Sequence, residues 1–453
     1  MKMTKYKLGE LVEVTRGASL SGQFYAEEGK LIRLTLGNFN MNGGGFKENT
    51  SKTDLYFTGT VRDEFILNKG DIITPLTEQS LGLLGTTARI PESGKYIQSQ
   101  DVALVRCKEG LLDPNFCYYL ISSSIVRQQL SAAAQQTKIR HTSPEKIKDC
   151  TVWVPDFEVQ KNIGRILTDI DNKIAINRRI NDNLEAMAKQ LYDYWFVQFD
   201  FPNEEGKPYK SSGGAMVWNE KLKREIPQGW NDCKIKDFMR IFTGKKDVSK
   251  AVPGNYKFFS CAPEPISSNE YIYDGYAVLV SGNGSYTGRV GFYKGKFDLY
   301  QRTYACVLDE DEHNISFFYY TLRYLFQPIY SGGKHGSSIP YIVLGDLADF
   351  RFAFNETICT KFVDTAKPMF DEQLLRQKEI EALTKQRDEL LPLLMNGQAS
   401  VNYHLSAKVY PLPIAYKKAM PIVANQTISN IFNQKSDSHT PSPCLQTSQI
   451  RCS

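Results

Sequence analysis

The chain has 453 residues and a formal net charge of +5, and 42% of its residues are hydrophobic. This length allows roughly two to four domains, and the apolar content excludes a chain that is disordered throughout. No apolar run approaches the roughly 20 residues of a membrane span, and no apolar region follows the first residues, so we expect neither a membrane segment nor a secretory signal. Nine cysteines without a Cys-x-x-Cys pair favour a reducing cytoplasm over a disulfide framework or a zinc module.

The motifs of several enzyme classes are absent from the sequence. It has no phosphate-binding loop, no dinucleotide fingerprint, no His-Glu-x-x-His metal motif and no Gly-x-Ser-x-Gly nucleophile elbow. The Asn-Pro-Pro-Tyr motif with which amino-methyltransferases hold a flipped adenine is also missing. We therefore expect that the chain is not an enzyme by itself, binds no metal and holds no cofactor.

An internal repeat of about 200 residues divides the sequence. Four anchors recur in the same order. Phe116–Tyr119 matches Phe317–Tyr320 and Ile139 matches Ile339, while Ile147–Asp149 matches Leu347–Asp349 and Lys7–Gly17 matches Lys234–Gly244. The shift falls from 227 to 200 residues between these anchors, so the first copy contains extra residues. The ordered matches indicate a duplication.

Each repeat is predicted to begin with short strands, continue with a short helix and a further strand, and end in a long helix. Short apolar runs bounded by glycine and polar residues predict the strands. In chain order, the first repeat gives strands at Leu31–Leu36, Asp71–Thr74 and Ala103–Arg106, a helix at Phe116–Leu130 and a strand at Thr151–Val154. The second gives strands at Tyr276–Val280 and Tyr304–Leu308, a helix at Ile315–Ile329 and a strand at Arg351–Phe354.

The two long helices show the clearest periodicity. Apolar residues spaced by four and three positions, as in a coiled coil, predict one helix over 157–197 and another over 356–396. At 1.5 Å per residue each is about 60 Å long, which favours a spacer between two domains. Asn177 and Gln377 fall at the helix midpoints, where they are expected either to form a polar pair that fixes the register or to face solvent. The candidate seam residues are Ile170, Ile174, Asn177, Leu184, Leu191, Phe370, Leu374, Gln377, Ile380 and Leu383.

Composition and periodicity together give the boundaries. Residues 1–155 form the first β-rich domain, 156–199 the first long helix, 200–229 a linker, 230–355 the second β-rich domain and 356–397 the second helix. Gly, Pro, Ser and charged residues predict the linker. Residues 398–453 are rich in Ser, Thr, Gln, Asn and Pro and are expected to form a poorly ordered tail. The predicted fold class is α+β, with two β-rich domains and a pseudo-twofold internal repeat.

Two separated domains without a catalytic motif favour a protein that reads two features of one ligand. Double-stranded DNA presents major-groove surfaces about 34 Å apart on one face. Arg, Lys, Asn and Gln side chains suit base edges, and hydroxyl groups suit phosphates, although any single loop of this kind is more often a solvated turn. The candidate DNA-binding residues are Thr77, Gln79, Ser80, Thr86, Thr87, Lys138, Arg140, His141, Asn283, Ser285, Tyr286, Arg289, Lys334, His335 and Ser337.

Local phrases extend this pattern over residues 1–397. They are Pro227-Gln228-Gly229-Trp230, Lys69-Gly70-Asp71-Ile72-Ile73, Lys146-Ile147-Lys148-Asp149, Ile170-Asp171-Asn172-Lys173-Ile174 and the ending Arg387–Gly397. With the order of domains and helices, they make the sequence similar to the specificity subunits of type I restriction-modification systems. The start of the second helix departs from that pattern. Pro155, Gln160 and Ile163 of the first helix are replaced there by Asn355, Thr360 and Phe362 or Val363.

The resemblance implies two target-recognition domains that read the halves of a split DNA site, and two central antiparallel helices that set the spacing. It also implies a complex with two adenine methyltransferase subunits and two ATP-driven translocase-nuclease subunits. S-adenosylmethionine, ATP and magnesium would belong to those partners. The alternative is a coiled-coil adaptor that joins protein partners without reading DNA.

Overall fold

The computed structural model describes residues 1–40, 44–78, 82–133, 140–309, 312–336 and 338–399. The first β-rich domain has strands β1 (Thr4–Lys7), β2 (Val12–Arg16), β3 (Tyr25–Ala26), β4 (Leu31–Arg33), β5 (Tyr56–Phe57), β6 (Ile72–Pro75), β7 (Thr77–Glu78), β8 (Ala88–Arg89), β9 (Tyr96–Ile97), β10 (Val102–Cys107), β11 (Arg140–His141) and β12 (Thr151–Val154). Its helices are α1 (Leu8–Leu11), α2 (Pro114–Ser122), α3 (Ser124–Ala133) and α4 (Pro144–Lys148). The predicted helix Phe116–Leu130 is thus two helices, because Ser123 is extended between them.

Two four-stranded sheets organise the first domain. One has the order β2-β10-β6-β8 and the other the order β3-β5-β4-β9. Strand β10 is central to the first sheet and its residues Val102–Val105 are buried. Helix α2 covers this sheet with Phe116 and Leu120, which are buried in the same core as Val105. Burial of this apolar face provides most of the free energy that holds the domain together.

The first long helix, α5 (Phe157–Tyr192), continues as a π-helical turn at Asp193–Val197 and leads to the second domain. The strands that follow are β13 (Met216–Asn219), β14 (Arg224–Pro227), β15 (Asn231–Lys234), β16 (Arg240–Thr243), β17 (Tyr256–Phe259), β18 (Ile266–Ser268), β19 (Tyr273–Ser281), β20 (Val290–Leu299), β21 (Thr303–Val307) and β22 (Arg351–Phe354). The helices are α6 (Ile315–Thr321), α7 (Gln327–Tyr330), α8 (Leu344–Ala348) and the long α9 (Glu356–Met395). The main sheet has the order β16-β21-β19-β20-β17-β18.

The two domains repeat the same strand register. In the first domain Thr4–Lys7 pairs antiparallel with Thr151–Val154. In the second, Asn231–Lys234 pairs antiparallel with Arg351–Phe354. The strand Asn231–Lys234 lies 227 residues after Thr4–Lys7, and Arg351–Phe354 lies 200 residues after Thr151–Val154. These are the two shifts found in the sequence repeat. The duplication therefore extends from sequence similarity to residue-by-residue pairing.

The two long helices pack antiparallel. Bonds between them join Asp171 to Arg387 at 3.0 Å, Asn177 to Glu379 at 3.0 Å and Glu185 to Gln373 at 3.1 Å. Residue numbers rise along α5 as they fall along α9. Together with the repeated domains, this confirms the predicted α+β fold. Among the described helices, none has the length and apolar character that a membrane span requires.

Each long helix is anchored in both domains. The anchors in the first-domain core are Ile163 and Leu167 of α5, and Leu394 and Met395 of α9. The anchors in the second-domain core are Ala188 and Tyr192 of α5, and Val363 and Phe370 of α9. Because each helix begins in one core and ends in the other, the distance between the domains depends on helix length.

The segment 200–229, predicted as a linker, is packed against the second domain. The rings of Phe201 and Trp230 stack with 5.2 Å between centroids, and Phe201 is buried. Asp200 accepts hydrogen bonds from the Ser211 amide at 2.7 Å and the Ser211 hydroxyl at 2.6 Å. These anchors hold the β13–β14 hairpin in place. The tail predicted at 398–453 lies outside the described residues from position 400 onward.

Candidate nucleic-acid interface

In the first domain, the candidate loops meet at the short strand pair β7–β11. Thr77 lies opposite His141, and Glu78 lies opposite Arg140. The Thr77 hydroxyl is 3.3 Å from His141 Nδ1 and 3.1 Å from Asp101 Oδ1. Thr77 is buried whereas His141 is exposed. The pair therefore presents the imidazole to solvent and uses the threonine to hold it.

A buried carboxylate binds the backbone of the segment Gly82–Leu84. Glu78 is 3% exposed, and its Oε2 accepts hydrogen bonds from the amides of Gly82, Leu83 and Leu84 at 3.0 to 3.1 Å. The Arg140 guanidinium lies 3.6 Å from the other carboxylate oxygen. Charge-assisted hydrogen bonds to backbone amides are among the stronger ones in proteins, so Glu78 positions the segment Gly82–Leu84 from inside the domain.

Two further candidates in this domain are buried, like Thr77. Thr86 is 3% exposed and Thr87 is fully buried. The Thr87 hydroxyl donates to the Tyr118 carbonyl at 3.0 Å, and that of Thr86 to the Gly82 carbonyl at 3.4 Å. Both hydroxyls are engaged in the fold, so neither faces a ligand. The candidates Gln79, Ser80, Lys138 and Ser337 lie outside the described residues.

In the second domain, two loops are joined at the equivalent place. Asn283 forms a backbone bridge with Tyr341, and so does His335. The Pro340 carbonyl accepts hydrogen bonds from the Gly284 amide at 3.0 Å and the Thr287 hydroxyl at 2.9 Å. The segments 282–289, 334–336 and 338–341 are therefore joined at the end of strand β19.

This unit carries basic and aromatic side chains at its surface. Ser285, Tyr286, Lys334 and His335 are exposed, and Asn283 and Arg289 are half-buried. The Arg289 guanidinium lies 5.4 Å from the Tyr286 ring centroid, and burial lowers the pKa of Arg289. Lys334 Nζ lies 4.2 Å from the Tyr330 ring. The His335 ring is held by Asp346, with Nε2 and Oδ2 3.0 Å apart. Cations and planar rings in this arrangement suit a nucleic-acid surface.

The predicted helix seam occupies the middle of the molecule. Ile174, Asn177, Phe370 and Ile380 are buried, and Ile170, Leu184, Leu191, Leu374 and Leu383 are half-buried. The prediction that Gln377 lies in the seam is wrong. Its side chain is exposed and donates a hydrogen bond to Glu381 on the same helix at 3.2 Å. The polar partners of Asn177 are Glu379 and Arg376 instead. Gln377 therefore lies on the solvent-exposed face of α9, next to the residues that contact α5.

A model of the type I restriction modification DNA specificity domain matches residues 1–186 and 227–354. These two segments cover most of the chain and coincide with the two repeats. The chain belongs to this family.

Similarity to known specificity subunits extends along much of the length of this family member. It is 25% identical over 324 residues to the type I restriction enzyme MjaIX specificity subunit of Methanocaldococcus jannaschii, covering 65% of this chain and 71% of that one. It is 30% identical over 215 residues to the EcoDI specificity subunit of Escherichia coli, covering 46% of this chain and 47% of that one. The S subunit of a type I system from M. genitalium, solved as a crystal structure, shares the fold with a TM-score of 0.56 and 17% identity, over 87% of this chain and 96% of that one.

The candidate interface of this specificity-domain protein also includes Tyr341 and Glu78, which sequence reasoning did not suggest. The repeat contains a signal for Tyr341, since the 200-residue shift that relates Ile147 to Leu347 also relates His141 to Tyr341. Glu78 offers no such signal, because a carboxylate beside a polar loop resembles an ordinary surface residue. Its role depends on burial, which only the tertiary structure reveals.

Proposed function

We propose that this chain is the DNA-recognition subunit of a type I restriction-modification complex, and that each β-rich domain reads one half of a split site in double-stranded DNA. The observation that carries the proposal is the repetition of one strand register in two domains joined by antiparallel helices. Two equivalent readers related in this way suit a ligand with two separated features. The adaptor alternative receives no support from the family match.

The dimensions of the spacer agree with this reading. Helices α5 and α9 have 36 and 40 residues. At 1.5 Å per residue they are about 54 and 60 Å long. One turn of duplex DNA measures about 34 Å, so the helices are long enough to place two readers in successive turns of the major groove.

The proposed complex contains the catalytic activities in other chains. Two adenine methyltransferase subunits and two translocase-nuclease subunits would assemble with this non-catalytic subunit in the cytoplasm. S-adenosylmethionine would bind the methyltransferases, and ATP and magnesium the translocases. The basis is membership of the specificity family, together with the absence of catalytic motifs from the sequence.

The test is a domain exchange in the assembled complex. The chain is produced with its methyltransferase partner, and adenine methylation is mapped across a genome by long-read sequencing. We expect a bipartite motif for the natural chain. Replacing residues 1–154 by the equivalent domain of a relative should change one half of the motif, and replacing 230–355 should change the other. No bipartite motif for the natural complex, or simultaneous change of both halves, would contradict the proposal.

A further inference from the structure

His141 and Tyr341 occupy equivalent places in the two domains. Each lies 200 residues from the other in the repeat and each forms the ladder position that joins the two loops of its domain. Each also precedes a short helix, α4 or α8. Those helices are fixed by Ile147 and Leu347, which are fully buried. Both side chains are therefore presented from rigid, matching positions.

The surroundings leave both side chains directed to solvent. His141 is exposed, and its Nδ1 contacts the Thr77 hydroxyl, which leaves Nε2 for a ligand. Tyr341 is 37% exposed and its ring lies 5.3 Å from the ring of His335. Within the described part of the chain, the Tyr341 hydroxyl has no hydrogen-bond partner. The Thr77 hydroxyl donates to Asp101, so Nδ1 of His141 donates to Thr77 and Nε2 of the neutral ring is an acceptor, suited to major-groove donors such as adenine N6 or cytosine N4. The Tyr341 phenol is suited to acceptors such as purine N7.

We propose that His141 and Tyr341 are specificity-determining residues, each contacting a base edge in the half-site that its own domain reads. This inference rests on the proposed function and deepens it. The ladder at both positions is made by main-chain atoms, with Thr77 opposite His141 and Asn283 opposite Tyr341. Changing either side chain therefore leaves the main-chain ladder in place. It removes the proposed contact with the base, together with the Thr77–His141 hydrogen bond or the His335–Tyr341 ring contact.

The experiment uses the full chain in complex with its methyltransferase partner. The variants are His141→Ala, His141→Gln, Tyr341→Ala and Tyr341→Phe. A lost base contact reduces discrimination by about 5- to 150-fold. We expect His141 variants to slow methylation and relax one position in the first half of the motif only, and Tyr341 variants to do so in the second half only.

Matched controls come from the same chain. His313→Ala removes a histidine that faces Asp364 of α9 at 3.2 Å, and Tyr271→Ala removes a tyrosine of similar exposure that packs on Tyr256. Both should leave the two half-sites unchanged. Copurification with the partner and melting temperature establish that each variant is folded. Should an alanine variant fail to assemble, Tyr341→Phe and His141→Gln decide the question, since Tyr341→Phe keeps the ring and removes only the hydroxyl, and His141→Gln keeps a polar side chain of similar length without the imidazole ring.

Two results would overturn the inference while the proposed function stands. One is a natural complex that methylates a bipartite motif and folded variants that methylate the same motif at the same rate. The other is a relaxation of both halves by a single variant. A natural complex without any bipartite motif contradicts the proposed function itself, so the two failures are distinguishable.

Discussion

Asn177, 1% exposed in the middle of α5, donates a hydrogen bond from Nδ2 to Glu379 Oε2 of α9 at 3.0 Å. Arg376 lies 3.1 Å from the same carboxylate oxygen, and Lys173 forms an ion pair with the other. Burial acts to raise the pKa of Glu379, but hydrogen bonds from Lys173 and Asn177 outweigh it and hold the pKa below its usual value. A polar cluster inside an apolar seam admits only one alignment of the two helices, because any other would bury these groups without partners.

Replacing Asn177 by alanine should destabilise the helix pair. The change removes a buried hydrogen bond and leaves Glu379 with one donor fewer, at a cost of about 1–2 kcal/mol. Differential scanning calorimetry of the full chain measures the effect. Asn183→Ala, at an exposed position of the same helix, is the matched control and should change the melting temperature little. Equal effects of the two substitutions would show that the cluster contributes nothing particular.

The same cluster predicts a pH dependence. A carboxylate whose pKa is lowered in the folded state stabilises the fold above its unfolded pKa, which is about 4.3 for glutamate, and this stabilisation is lost as the pH falls further. The difference in melting temperature between the natural chain and Glu379→Gln should therefore be largest near neutral pH and shrink below about pH 4.3. A difference that stays constant from pH 7 to pH 3 would contradict this account.

The helices should act as a ruler. Inserting four residues after Arg178 and four after Gln377 keeps the Asp171–Arg387, Asn177–Glu379 and Glu185–Gln373 pairs, although it separates Arg376 from Glu379, and it lengthens each helix by about 6 Å. At about 3.4 Å per base pair, the spacer of the methylated motif should grow by one or two base pairs, with both half-sites unchanged. Methylome sequencing reads the result. A single-residue insertion turns each helix by about 100° and serves as the contrast, since it should abolish methylation. An unchanged spacer at full activity would show that the helices do not set the distance.

Gly164 allows α5 to approach the start of α2. A Cβ atom at this position would lie 2.6 Å from the Phe116 amide nitrogen and 2.8 Å from Asp113 Oδ1. The steric clash should cost about 1–3 kcal/mol and alanine gains roughly 1 kcal/mol in a helix, so Gly164→Ala should destabilise the first domain by up to about 2 kcal/mol. Gly345→Ala is the control, because no atom lies within 4 Å of its added Cβ. Chemical denaturation of the full chain should show a loss for the first variant only.

Gln160 should matter where its counterpart Thr360 does not. The buried Gln160 amide accepts from the Asp113 amide at 3.0 Å and donates to the carbonyls of Leu111 and Pro155 at 3.2 and 2.9 Å. Thr360 bonds only to the Glu356 carbonyl of its own helix, at 3.0 Å, among the described residues. Gln160→Ala should cost about 2–4 kcal/mol, since it leaves buried backbone groups unpaired, whereas Thr360→Ala should change stability by about 0.5 kcal/mol or less. Thermal denaturation distinguishes them, and equal losses would refute the contrast.

The contacts of Gln160 also explain why the sequences at the starts of α5 and α9 differ. In the first domain Gln160 bonds α5 to the loop before α2. The sequence motif that contains Gln160 therefore stabilises packing within the chain. In the second domain the helix start is instead capped by Asn355, whose side chain accepts from the Ile358 amide at 3.0 Å. Two local solutions therefore support the same junction.

The sequence by itself determined the duplication, the two long helices and the strands Thr151–Val154 and Arg351–Phe354, which the structure places at the same residues. These features are local or periodic. A short strand, or a helix with an apolar residue every three or four positions over 36 residues, can be recognised from its own sequence. The prediction does not depend on which other elements pack against it.

The tertiary structure alone decided which polar residues face solvent. Thr87 and His141 are both polar residues that the sequence suggested as DNA contacts, yet Thr87 is fully buried against α2 and His141 is exposed. Likewise Asn177 lies inside the seam and Gln377 outside it. The reason is that burial of a polar group depends on partners distant in sequence, such as the Tyr118 carbonyl or the Glu379 carboxylate, and a hydrogen bond between such groups leaves no trace in local composition.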